Sequence, residues 1–464
     1  MKIKTGFLLL ILAFAIMSGC KKDIGKWDTI YPSQKENVDQ YDVPYENVPE
    51  ISDINMYEVN IGAYSVHGNL EGVRNRLDEI KDLGINVIWL MPTYPIGELN
   101  GIGSPYAVKD YMEVNSAYGD LEDLRLLVKE AHSNDMAVIL DWVANHTAWD
   151  HAWTKNKDWY LQNNEGEIIS PPGTGWNDVA QLNFENMAMR SEMIRTMKNW
   201  VLEANVDGFR CDYSDGPPFD FWQQAIDTLR NTTGHQLIVL SEGRRSNQFT
   251  AGFDYNFGFD FFENLREIYE HGISVTSIDS FNIANYTGAA PHQGMVRYTS
   301  NHDVNGSEGT PQELFGGTRG SMAAFVVVAY MKSIPMIYGG QEVGTPYRLL
   351  FPFTSANIDW SLNPELTKEY KKIIAFRNES NAIRRGTLET FSNDDVCAFT
   401  KSYKDETILV LSNLRDKACR FELPASFEKT EWVNVFDETK KAVNDGEISL
   451  SPYQYLVLKT IDGR

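Results

Sequence analysis

Four short apolar runs punctuate the chain: "INVIWLMP" (85–92), "AVILDWV" (137–143), "LIVLSEG" (237–243) and "IPMIYGG" (334–340). Nearly continuous apolar character over so few residues predicts strands covered on both faces, as in a parallel sheet. Between them the period changes. In "DLEDLRLLVKEAH", Leu124, Leu127, Val128 and Ala131 recur at i, i+3, i+4 and i+7 behind Asp120 at a capping position, which predicts a helix. Val73, Leu77 and Ile80 repeat the pattern after Asn69. Strand candidates number eight, near 55–59, 85–92, 137–143, 208–213, 237–243, 253–257, 295–301 and 334–340. Eight βα units predict an α/β fold, a (β/α)8 TIM barrel; a doubly wound sheet is the alternative.

Two stretches depart from this alternation. Residues 144–185 are too long for a βα loop and contain Trp149, Trp153, Trp159, Tyr160 and Trp176, so they predict a small inserted domain after the third strand. Its tryptophans either fill a core or lie near the barrel mouth with at least one ring exposed. After about 386, "ETILVLSNL" and "YQYLVLKT" alternate with period two, which predicts a C-terminal β-sandwich over 387–464, behind a barrel over 53–386.

At the other end, Lys2 and Lys4 precede an apolar run, Phe7 to Met17, too short to span a bilayer but of signal-peptide length. "MSGC" then places small residues directly before Cys20. This resembles a bacterial lipoprotein processing site, which implies that residues 1–20 are a signal peptide and that Cys20 carries the lipid. The protein would then be exported to the cell envelope and held on a bilayer by its acyl chains. A plain secretory signal is the alternative. Residues 21–52, polar and broken by Pro32, Pro44 and Pro49, predict a tether.

Composition narrows the partners. The chain has 464 residues, 42% hydrophobic and 23% charged, and a net charge of −22. Such acidity repels nucleic acid and anionic substrates, and suits a neutral one. Beyond Cys20 stand Cys211, Cys397 and Cys419, too few for a disulfide framework. Cys397 and Cys419 could pair across strands; buried thiols are the simpler reading.

In a barrel the C-terminal strand ends converge on one site. The third expected strand ends in "DWVANH" (Asp141, Asn145, His146), the fourth in Arg210 and Asp212, the fifth in Glu242 and the seventh in "TSNHD" (His302, Asp303). Without clustered Cys or His this set argues against zinc, and no serine or cysteine has a histidine of its own. Carboxylate chemistry remains. Cleaving a glycosidic bond needs an acid on the leaving oxygen and a carboxylate on the other face of the sugar. Arg210 beside Asp212 would keep that carboxylate ionised, and crowding among acids would raise Glu242.

"DWVANH", "GFRCD", "LSEG" and "NHD" resemble, in order and spacing, the four sequence regions of the α-amylase family, glycoside hydrolase family 13. The flanking "GSPYAVKDYMEVNSAYGDLEDLRLLVKEAH", "NDVAQLNFEN" and "IYGGQEVG" agree. The resemblance implies a retaining α-glycosidase acting on α-linked glucans, with Asp212 as nucleophile, Glu242 as acid/base and Asp303 as transition-state stabiliser. It implies that Asp141, His146, Arg210 and His302 position carboxylates and sugar hydroxyls, and that Tyr106 is a stacking platform. A glycosyl transferase or isomerase would use the same three acids, while a non-catalytic glycan-binding lipoprotein would be expected to lack one. The chemistry needs no cofactor. One departure bears on a structural calcium, for which Asn145 matches a frequent ligand. Where many α-amylases carry a Lys-His pair contacting substrate and calcium, this chain has Asp215 and Gly216.

Overall fold

The computed structural model describes residues 38–232, 234–350, 356–427, 430–441 and 446–460. Cys20, the apolar run before it and the first part of the expected tether lie outside them. The apolar runs form the barrel strands: β1 (Met56–Val59), β2 (Val87–Leu90) and β3 (Ala137–Val143). β4 (His146–Ala148) and β5 (Val179–Gln181) then pair antiparallel within the insertion. The remaining barrel strands are β6 (Gly208–Asp212), β7 (Ile238–Ser241), β8 (Tyr255–Phe257), β9 (Gly294–Tyr298) and β10 (Ile334–Tyr338). Eight parallel strands close in the order β1-β10-β9-β8-β7-β6-β3-β2, which excludes the doubly wound sheet. Every barrel-strand residue is buried, because helices cover the outside while side chains fill the inside.

The helix Leu121–Ser133 begins as its sequence predicts. Asp120 accepts from the amides of Glu122 and Asp123, and Leu124, Leu127, Val128 and Ala131 are its buried face. The pattern after Asn69 is split into Leu70–Arg74 and Leu77–Asp82, with Val73, Leu77 and Ile80 buried all the same. The expected tether is different. From Tyr41 onward the segment is laid on the barrel: Tyr41 N donates to Leu202 O (2.8 Å), and Tyr45 stacks on His132 with centroids 4.3 Å apart. Aromatic anchoring does not require a period, so a periodicity reading passes over it.

The C-terminal region builds a sheet from β11 (Thr387–Thr390), β12 (Val396–Tyr403) and β13 (Glu406–Asn413). After β14 (Cys419–Glu422) it continues through β15 (Trp432–Asn434) and β16 (Lys440–Lys441), and then β17 (Glu447–Leu450) and β18 (Tyr455–Thr460) follow. Six strands run β11-β12-β13-β18-β15-β16, and β14 pairs with β17 in a second, two-stranded sheet. Alternation decides what each face meets. Val396, Ala398, Leu409, Leu411, Leu456 and Leu458 pack against Phe421, Ile448 and Leu450 of the small sheet. Cys397, Phe399, Ile408, Val410 and Val457 belong instead to the barrel's core. The helix Gly317–Tyr330, buried at every position from Gly320 to Tyr330, is packed on β13, and Ser412 Oγ donates to Ala323 O (2.8 Å). Cys211, Cys397 and Cys419 are all free thiols, so Cys397 and Cys419 do not pair.

One backbone contact limits barrel closure. Gly208 opens β6 at φ +143°, and a Cβ there would stand 1.8 Å from Ile238 O on the paired strand β7. Gly208→Ala is expected to destabilise the protein by more than about 3 kcal/mol, read as a lower denaturant midpoint. An unchanged midpoint would show that the strand can shift to admit a side chain.

Candidate active site

The strand ends bring the predicted acids to one rim, around a single guanidinium. Arg210 on β6 is fully buried. Its Nη1 donates to Asp141 Oδ1 (2.8 Å) and Asp212 Oδ1 (3.0 Å), and its Nη2 lies 2.6 Å from Glu242 Oε1. Positions 210 and 212 share the inner face because they are two apart on a strand, while the buried Cys211 between them takes the other face. Below, the Trp89 ring lies 4.8 Å from the guanidinium carbon.

Asp141 is held on several sides. Besides Arg210, it accepts from Trp89 Nε1 (3.1 Å) and from the Tyr106 hydroxyl (3.1 Å). It is wholly buried, and neither it nor Arg210 lines the cavity. Both stand behind the residues that line the cavity, and Arg210 reaches the carboxylates from there. The cavity itself, about 380 Å³, is lined by Tyr106, His146, Asp212, Glu242, His302 and Asp303, together with Trp176 and Phe259. Tyr106 stacks on His302, with ring centroids 5.4 Å apart. Asp303 opens the helix His302–Ser307 with its side chain 59% exposed, facing into the mouth.

The charge balance is unequal. Burial pushes the carboxyls of Asp212 and Glu242 up; Arg210 opposes this, while neighbouring acids reinforce it. One cation divided among three carboxylates does not keep all of them charged, so Asp212 and Glu242 titrate as a pair that retains a proton above the usual carboxylate range. Arg210 therefore does less for Asp212 alone than the sequence suggests. His146 is neutral, because burial pushes it down to about 4.

Several cavity residues carried little or no signal in the sequence. Tyr213, at φ +38°, turns its backbone N–H to Glu242 Oε2 (2.8 Å) and sets its ring 5.0 Å from Trp176. Arg244 lies over the Phe259 ring (4.7 Å) and pairs with Asp260 and Glu263. Arg245 Nη2 donates to Ser214 O (2.6 Å) and Pro217 O (2.7 Å), and its Nε donates to Asp215 Oδ1 (3.2 Å), bracing the loop after β6 against the loop after β7. Two arginines directly after "LSEG" were a signal that could have been used. Of the tryptophans, Trp176 is 37% exposed at the mouth, whereas Trp153 packs on Tyr111 and Trp159 inside the insertion. Trp149 bonds through Nε1 to Asn177 O (2.9 Å).

At Asn145, the position that matches a frequent calcium ligand, the side-chain amide is paired with Gln181. Asn145 Nδ2 donates to Gln181 Oε1 (3.0 Å), and Gln181 Nε2 donates back to Asn145 Oδ1 (3.2 Å), so the amide that would serve as ligand is engaged. A Cβ at Gly216 would come within 2.1 Å of Asn145 Oδ1, so the glycine and the amide pair belong together. Among the described residues no three His, Cys, Asp or Glu side chains converge as a metal site.

Comparison with known proteins agrees with this architecture. Residues 29–172 match the family model "Alpha amylase, catalytic domain", and residues 389–457 match "Maltogenic Amylase, C-terminal domain". An α-amylase of Dictyoglomus thermophilum is 25% identical over 405 residues, covering 81% of this chain and 69% of its own. A cyclomaltodextrinase of Thermoanaerobacter pseudethanolicus is 26% identical over 384 residues, covering 75% and 64%. The crystal structure of an α-amylase from Lactobacillus plantarum superposes with a TM-score of 0.79 at 24% identity, over 88% of this chain and 99% of that one, a likeness of fold. By these matches the chain is similar to an α-amylase-family catalytic domain in its N-terminal part and to a maltogenic-amylase C-terminal domain over residues 389–457.

Proposed function

We propose that the protein hydrolyses α-linked glucans with retention of configuration, Asp212 acting as nucleophile, Glu242 as general acid/base and Asp303 on the developing positive charge. The observation that carries this reading is the single guanidinium that holds Asp212 and Glu242 together; burial and the neighbouring acids raise both carboxyls, which favours a proton kept on the pair. Such a pair supplies both partners of a double displacement: a carboxylate to attack the anomeric carbon and a carboxylic acid to protonate the leaving oxygen. The Glu242 proton passes to the glycosidic oxygen as the bond to the sugar breaks. Glu242, now ionised, takes a proton from water, which opens the Asp212 ester. Holding both acids on one fork favours the short separation of about 5–5.5 Å of retaining enzymes over the 6.5–9.5 Å that admits a water. Tyr106 and Trp176 offer ring faces to a sugar, and the neutral substrate suits a net charge of −22.

Asp212→Asn is expected to lower turnover of maltooligosaccharides by roughly 10⁴-fold or more with the fold intact. Glu242→Gln should recover on substrates whose leaving group needs no proton. The product first released should be the α-anomer by NMR; the β-anomer would overturn retention. The pH profile of kcat/KM should be bell-shaped. Its acid limb appears as the pair loses its first proton and its alkaline limb as Glu242 loses the second, above the ordinary carboxylate range because burial raises it.

The amide pair at Asn145 supports an enzyme without structural calcium at that position. A chelator should leave both the melting temperature and the rate unchanged; a drop restored by added calcium would contradict this.

We further propose that the mature chain begins at a lipidated Cys20 and is anchored on a cell-envelope bilayer, a reading supported by the N-terminal sequence. Among the described residues no helix is long and apolar enough to cross a membrane. Cys20→Ser should move activity from the membrane fraction to the soluble extract; unchanged partitioning would count against the anchor.

A further inference from the structure

The proposed chemistry draws on the ends of β3, β6, β7 and the segment after β9. β1 has no part in it, yet it carries a buried acid at its rim end. Glu58 is fully buried, and its Oε1 lies 2.5 Å from His302 Nδ1 and 3.4 Å from the His302 backbone nitrogen. Its Oε2 has no hydrogen-bond partner. A carboxylate so placed has to be paired or neutralised. On the far side of the imidazole, Nε2 is 2.8 Å from the Tyr106 hydroxyl and 3.4 Å from Asp303 Oδ1.

The proton order along this row follows from what each group can do. An ionised Asp141 only accepts, so the Tyr106 hydroxyl gives its hydrogen to Asp141 Oδ2. That hydroxyl then accepts from His302, so Nε2 carries a hydrogen. Nδ1, facing the Glu58 carboxylate, carries the other. We infer that Glu58 is a positioning residue that fixes His302 as an imidazolium, keeping an Nε2–H donor beside Asp303 at the cavity wall. This inference rests on the glycosidase reading of the site. The charged and titratable groups facing His302 are Glu58 from β1, Tyr106, Asp141 from β3, Arg210 and Asp212 from β6, and Asp303. Burial opposes the imidazolium and Arg210 repels it, but Asp303 and Glu58 outweigh both and raise its pKa to about 9. Losing Glu58 should return it toward the ordinary 6.5.

The test is Glu58→Gln in the full chain, which keeps the side-chain volume. With ¹⁵N-histidine labelling, and His302 assigned by its loss in His302→Asn, the wild type should show two protonated ring nitrogens at pH 8 and the variant one. The ratio of variant to wild-type kcat/KM on a maltooligosaccharide should be least affected at pH 5.5 and fall about 30-fold by pH 8, as an imidazole of pKa near 6.5 empties. A merely structural role would lower activity by the same factor at every pH. A pH-independent ratio, or a variant His302 still charged at pH 8, would overturn the inference. Should the variant not fold, a wild-type His302 with one bare nitrogen at pH 8 would overturn it as well. The NMR measurement needs no turnover, so absence of α-glucan hydrolysis would sink the glycosidase reading separately.

Discussion

The site depends on one buried cation. Arg210 has no access to solvent and offers one planar fork to acids from three neighbouring strands. Removing one partner from such a buried pair costs about 3–5 kcal/mol, because the remaining charge has nothing to answer it. The carboxylates therefore hold the arginine as firmly as it holds them. Strand register makes this possible: Asp141 lies opposite Arg210 between β3 and β6, and Cys211 opposite Ser241 between β6 and β7. A slip of one residue in either pairing would carry the acids out of the barrel. Sheet geometry and proton affinity are thus one constraint here.

What the sequence made legible was whatever follows a period or a strand end. Seven of the eight barrel strands fall within the expected ranges and β9 begins one residue before its own, and Asp212, Glu242, His302 and Asp303 meet at the mouth because barrel topology leaves them nowhere else to go. Depth was not legible. Asp141 and Asp212 are both acids at strand ends, but Asp141 is two residues further from the rim of β3, enough to place it behind Tyr106. Nor was non-periodic packing legible: the segment from Tyr41 to Asp53 is fixed by Tyr45 on His132 and by Asp53 between Arg384 and Arg385. Tyr213 enters through a backbone angle, which no residue pattern announces.

The C-terminal sheet shows how one alternating pattern can serve two partners. Neighbouring residues of β12 and β13 belong by turns to the small sheet's core and to the barrel's. Arg415 adds a polar fastening. Its guanidinium donates to the carbonyls of Ile268 and Ile273 around the C-terminal end of the helix Phe259–Glu270, and to Asp394 O, where the helix dipole favours a cation. The region 387–460 is therefore continuous with the barrel's hydrophobic interior.

Barrel closure also sets when the chain can fold. The pairing that seals the barrel joins Met56 to Met336, β1 to β10, across most of the catalytic domain. Until the last strand is available, β1 has β2 on one side and an open ladder of N–H and C=O groups on the other. Contacts at so long a sequence separation form slowly, and a half-built parallel sheet is prone to aggregate. A chain synthesised from its N-terminus would thus carry an unsealed edge through most of the synthesis of its catalytic part, until the strand ending at residue 338 emerges.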